Sequence, residues 1–163
     1  MKIKVLPRAE CFAAAHGWGI EYGVEDFNIP TLIISISSYD TPIPNALAID
    51  AEKKPDIIKH VEYCQFDDID CAEPVKDLIP MRDVDAQRII RAVEQWKDKV
   101  EQIVVHCDAG YSRSPAVAAA LSLALNGKGA DEEFFVKGSY CPNMHVYRTM
   151  LKELDARGYF NDL

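Results

Sequence analysis

Between Val104 and Ser122 the chain reads VVHCDAGYSRSPAVAAALS, and two of its side chains could do chemistry together: Cys107 and Arg113. An apolar, β-branched stretch precedes them and an alanine-rich run follows, which predicts a strand, a tight loop and a helix. That unit aims backbone N–H groups and the positive end of a helix at one point, a geometry that binds oxyanions such as phosphate. Gly110 supplies the permissive backbone of a tight cradle, and Arg113 adds a planar fork able to hold two phosphate oxygens. A cysteine thiol titrates at about 8.5, but at roughly 3.5–7.5 beside cations or helix N-termini, so Cys107 should be a thiolate at neutral pH. An anionic nucleophile under a phosphate cradle implies attack on phosphorus and a cysteinyl-phosphate intermediate.

The elements that must position these groups can be read from periodicity. Residues Thr31 to Ser37, His60 to Phe66 and Gln102 to Cys107 form three apolar strands, the second ended by the acidic run DDID. Between the last two, Ile89, Val93, Trp96 and Val100 recur at helical steps and share one face. After the loop, Ser114 is placed to cap a helix whose first turn holds Pro115 and which Gly127 or Gly129 stops. A short helix is expected around 131–137, and a last one after Met144, with Tyr147, Met150, Leu151 and Leu154 inside and Gly158 at its end. Trp18 and Trp96 read as core residues. The alternation predicts an α/β fold: a single domain over 1–163 with a central, mostly parallel sheet flanked by helices. Residues 1–31 carry little recognisable pattern.

The chain has 163 residues, 18 Lys+Arg, 26 Asp+Glu and a formal net charge of −8. That balance argues against general binding to nucleic acid or anionic membrane. The five scattered cysteines show no CxxC pair, so neither a disulfide framework nor a zinc site is indicated. A monomer of the cytoplasm, without signal peptide or membrane span, is the expected setting.

The residues HCDAGYSRS resemble the H-C-x5-R-S/T signature of the cysteine-dependent protein phosphatases, and GYSRSP is most similar to the small dual-specificity branch. Weaker similarity runs upstream through FDDID and downstream through CPNMHVYRTML. The resemblance implies Cys107 as nucleophile, Arg113 as the phosphate-binding and transition-state group, and His106 as the residue that orders the loop. It further implies Ser114 as donor to the departing thiolate, and Asp108, Ala109, Gly110, Tyr111 and Ser112 as the cradle wall. No metal or cofactor is implied. A thiolate cannot expel an alkoxide or phenoxide unaided, so an acid must protonate that oxygen. In the family it is an aspartate after an earlier strand. Asp67, Asp68 and Asp70 compete, and Asp68 is favoured because F-x-D after a strand occurs in relatives. Asn143 is another residue that could order the loop. Cys64 and Cys71 flank the acid run and read as ordinary cysteines, although either could pair with an oxidised Cys107.

The loop interior DAGYS holds no lysine or arginine, and Asp108 puts negative charge at its mouth. Both features favour a single phosphate ester on tyrosine or on serine/threonine of a protein over a polyanionic lipid. Three other classes share parts of the constellation: a rhodanese-like sulfurtransferase, an RNA 5′-triphosphatase and a non-catalytic phosphoprotein-binding module.

Overall fold

In the computed structural model, residues 1–40 and 47–163 are described. Four strands form one sheet: β1 (Lys2–Pro7), β2 (Thr31–Ser37), β3 (Ile58–Gln65) and β4 (Gln102–Cys107), in the order β1-β4-β2-β3, with every pairing parallel. The two interior strands, β2 and β4, are buried along their whole length, as strands covered on both faces must be. Their side chains alternate. Leu32, Ile34, Ile36, Ile103, Val105 and Cys107 enter one core, and Ile33 and Val104 enter the other.

Helices cover both faces. The smaller core receives Cys11, Ala14 and Ala15 from α1 (Arg8–His16). The larger one receives α2 (Asp83–Trp96), α3 (Arg113–Asn126) and α4 (Met144–Ala156). The first ten residues of α3 are all buried, because this alanine-rich helix lies against the sheet, with α4 packed on it. Because all strands run the same way, Pro7, Ser37, Gln65 and Cys107 end at one edge of the sheet. The loops that follow them gather there, where open α/β sheets place their sites. No helix among the described residues is long and apolar enough to cross a membrane.

Several local expectations change. The sheet is wholly parallel, and the unpatterned N-terminus supplies both its edge strand β1 and the helix α1. β1 alternates lysines with apolar residues because only part of it is covered, and α1 hides its core face in small alanines. Val100 is buried but lies beyond the end of α2. The segment expected near 131–137 is a short 3₁₀ turn, Glu132–Phe135. Trp18 is exposed, beside the rings of Phe12 and His16. Ser114 does not cap α3: the helix begins one residue earlier, and the hydroxyl turns instead to Cys107.

Candidate active site

β4 delivers Cys107 to the carboxyl edge of the sheet, and α3 begins six residues later at Arg113. The intervening loop turns so tightly against the end of β1 that Gly110 adopts φ 66°. A Cβ at Gly110 would stand 2.7 Å from the Pro7 nitrogen and 2.8 Å from the Leu6 carbonyl carbon, so only glycine fits. Cys107 is buried, with Sγ 3.1 Å from the Ser114 hydroxyl oxygen. Burial alone pushes its thiol up. The Ser114 hydroxyl and backbone N–H, the Arg113 charge and the Gly110 N–H together outweigh burial and hold the thiol below its ordinary value. His106 points to the opposite face of β4. Burial there pushes its imidazole down to about 4, so the ring is neutral and its Nδ1–H donates to the Cys107 carbonyl at 3.3 Å.

Arg113 is buried and spanned by partners from three segments. Its Nη1 donates to the Ser38 hydroxyl at 2.8 Å and to the Phe66 carbonyl at 2.9 Å, and its Nη2 donates to Asp108 Oδ2 at 2.8 Å. Its Nε is buried with no partner among the described residues. Asp108 is shared: its other oxygen takes Nη2 of Arg8 at 2.7 Å. The carboxylate at the mouth is thus balanced by two arginines, which corrects the expectation that Asp108 presents an uncompensated negative charge to polyanions.

The three acidic candidates separate by position. Asp67 is buried and accepts the backbone N–H groups of Tyr39 and Ile79, which makes it a brace between segments. Asp70 accepts the His145 N–H at 2.7 Å, at the start of α4. Asp68 alone meets the loop: Oδ1 accepts the Ser112 hydroxyl at 2.8 Å and Asn143 Nδ2 at 2.9 Å. Asn143, named from the sequence as a residue that could order the loop, is a hub. Its backbone N–H donates to Ser112, its amide donates to Asp68 and to the Ile69 carbonyl, and its Oδ1 caps α4 at Val146. Its place before a helix, as a preferred N-cap residue, was the available signal. Of the remaining cradle residues, Asp108 and Ala109 are exposed and Tyr111 is 53% exposed, with its carbonyl held by Cys141 N–H. Cys64 pairs level with Ile36 on β3, with β2 between it and β4. Two strand spacings, about 10 Å, exceed the reach of a disulfide. Cys71 instead donates to the Glu73 carbonyl.

The protein-tyrosine phosphatase family model matches residues 33–151, more than half of the chain. The chain belongs to the protein-tyrosine phosphatase family. No curated protein matches it by sequence. Among solved structures, it is similar to Tk-PTP in its active form, at 18% identity and a TM-score of 0.53, over 95% of this chain and 90% of that one. The PTP-2 phosphatase of Cydia pomonella is similar at 16% identity and a TM-score of 0.55, over 93% and 85% of the two chains. PTPMT1 in complex with PI(5)P is similar at 15% and 0.53, over 96% and 94%. At such identities these structures establish the α/β fold.

Proposed function

We propose that this phosphatase hydrolyses single phosphate esters on proteins, phosphotyrosine first and phosphoserine/threonine second, through a cysteinyl-phosphate intermediate. One observation carries the reading: a thiol held below its ordinary range lies on the same short loop as a buried arginine whose Nε donor has no partner among the described residues. A buried, unpaired guanidinium N–H calls for an acceptor, and a tetrahedral oxyanion supplies one to Nε and Nη2 together.

In the first step the Cys107 thiolate attacks phosphorus. The S–P bond forms, the ester P–O bond breaks, and Asp68 gives its proton to the departing oxygen. Arg113, held from behind by Ser38 and the Phe66 carbonyl, grips the equatorial oxygens as charge spreads onto them. In the second step Asp68, now ionised, takes a proton from water. The water oxygen attacks phosphorus, the S–P bond breaks, and Ser114 donates to the leaving thiolate. Asp68 is favoured over its neighbours because it touches the loop through Ser112, whereas Asp67 and Asp70 are engaged elsewhere. Tyr111 on the loop and Tyr39 beside Ser38 offer exposed flat faces to an aryl leaving group.

Leaving-group dependence tests the assignment. Asp68→Asn should slow phosphotyrosine peptide hydrolysis far more than hydrolysis of an activated aryl phosphate, whose leaving group departs as a stable anion. Asp70→Asn should lack that signature. Vanadate should inhibit the wild type, and Cys107→Ser should be inactive. Full activity in Cys107→Ser would remove the mechanism, and a signature at Asp70 would move the acid.

A further inference from the structure

Asp108 is bonded to two buried arginines at once, and only one of them belongs to the loop. Arg8, the first residue of α1, donates its backbone N–H to the Asp108 carbonyl at 3.3 Å and its Nη2 to Asp108 Oδ1 at 2.7 Å. The same Nη2 reaches the Ile36 carbonyl at 3.2 Å, which fixes the side chain at the end of β2. Arg8 is 7% exposed, and its Nε, like that of Arg113, is buried with no partner among the described residues. Asp108 Oδ2 meanwhile occupies Nη2 of Arg113, on the edge of the fork that a phosphate would take. The Asp108 side chain is 39% exposed, while those of both arginines are buried.

We propose that Arg8 is a positioning residue that draws the Asp108 carboxylate away from Arg113 when a phosphate dianion binds. In the resting site Asp108 neutralises Arg113 and competes with the phosphate. A carboxylate left beside an arriving dianion would repel it, more strongly than in bulk water because the arginines that hold both are buried. Arg8 offers the carboxylate a second fork: its unpaired Nε and its Nη2 can take both oxygens of Asp108, which satisfies the orphaned donor and frees the Nε–Nη2 edge of Arg113. Arg8 thereby sets affinity for the phosphoryl group without touching it. The inference rests on the phosphatase reading of Arg113.

The test is vanadate and inorganic phosphate binding to the full chain, with KM and kcat for an aryl phosphate. Asp108→Asn removes the competitor, and vanadate should bind about tenfold more tightly, the scale of one charge-assisted hydrogen bond. Arg8→Gln should weaken vanadate and raise KM about tenfold, with a smaller change in kcat, and Arg8→Lys should recover part of the loss. In the Asp108→Asn background, Arg8→Gln should change vanadate affinity less than twofold, because there is no carboxylate left to hold. If Asp108→Asn leaves vanadate binding unchanged or weaker, Asp108 orients Arg113 instead of competing, and the proposal is overturned. An equal effect of Arg8→Gln in both backgrounds overturns it too, since Arg8 then acts on the fold alone. Asp108→Asn alters an exposed side chain, so its sign decides even if Arg8 variants fold poorly. A wild type that binds no vanadate would remove the phosphatase reading and the relay together, whereas a wrong sign at Asp108 removes only the relay.

Discussion

Replacing Ser114 by alanine isolates the contact that most directly sets the Cys107 thiol. The Ser114 hydroxyl lies 3.1 Å from the Cys107 sulfur, and both residues are buried. A hydrogen bond to a charged group contributes about 1.5–3 kcal/mol, and 1.4 kcal/mol is about a factor of ten. At a fixed pH below the thiol's titration, the thiolate fraction should therefore fall about ten- to a hundredfold in Ser114→Ala. The direction follows from the balance at the sulfur: burial already pushes the thiol up, and removing the largest opposing contribution lets burial gain. The acid limb of the rate profile moves to higher pH. The assay is alkylation by iodoacetamide across pH, because only the thiolate reacts. A second readout is the leaving step. Without Ser114 the departing thiolate loses its donor, cysteinyl-phosphate accumulates, and an aryl phosphate gives a burst of phenol. Ser114→Thr, which keeps the hydroxyl, should restore both. Alkylation in Ser114→Ala at the wild-type rate and pH, with no burst, would refute the reasoning and leave Ser114 as packing.

Three further outcomes are expected. His106 is neutral in the fold, with its imidazole pushed down from 6.5 to about 4, so its contribution to stability is complete above pH 6.5 and is lost as pH falls towards 4. Urea unfolding of wild type and His106→Asn over that window should differ in pH dependence by up to about 3 kcal/mol, and parallel curves would contradict the assignment. Gly110→Ala should cost about 1–2 kcal/mol from the left-handed backbone alone and about a hundredfold in kcat/KM from the displaced loop, and a fully active variant would show that the loop does not need its contact with Leu6 and Pro7. Asn143→Asp keeps the helix cap at Val146 but loses both amide donations and sets a carboxylate beside Asp68, so stability should hold within about 1 kcal/mol while phosphopeptide hydrolysis falls; equal loss in Asn143→Ala and Asn143→Asp of both properties would reduce Asn143 to a cap.

What was legible in the sequence is what a local pattern can specify. The strand, loop and helix around Cys107 follow from a β-branched run, a glycine and an alanine-rich run that lie next to one another. The strand before DDID follows in the same way. The contacts that choose among equivalent residues are not local. Asp67, Asp68 and Asp70 have the same side chain, and the fold distinguishes them by aiming one at Ser112, one at Ile79 and one at His145. Ser114 had two uses open to it, as helix cap or as sulfur donor, and the helix started two residues too early for the first. Asp108 looked like a bare charge because both its partners are distant or hidden in chain order, Arg8 most of all.

Arg8 also shows why the N-terminus belongs to the site although the family model begins at residue 33. β1 pairs with β4 along its whole length, and Pro7 lies opposite Cys107. Without β1, β4 would become an edge strand with unpaired backbone groups leading up to Cys107. The floor under Gly110 is the Leu6–Pro7 backbone, and the anchor of Asp108 is the residue that follows. Three successive residues at the end of one edge strand thus touch three of the positions that shape the loop: Cys107, Asp108 and Gly110. The lysines of β1 conceal this in the sequence, because an edge strand needs polar residues outward and little apolar periodicity. Yet the geometry at Leu6, Pro7 and Arg8 follows directly from the parallel register, which carries β1 to the same edge of the sheet as the cysteine.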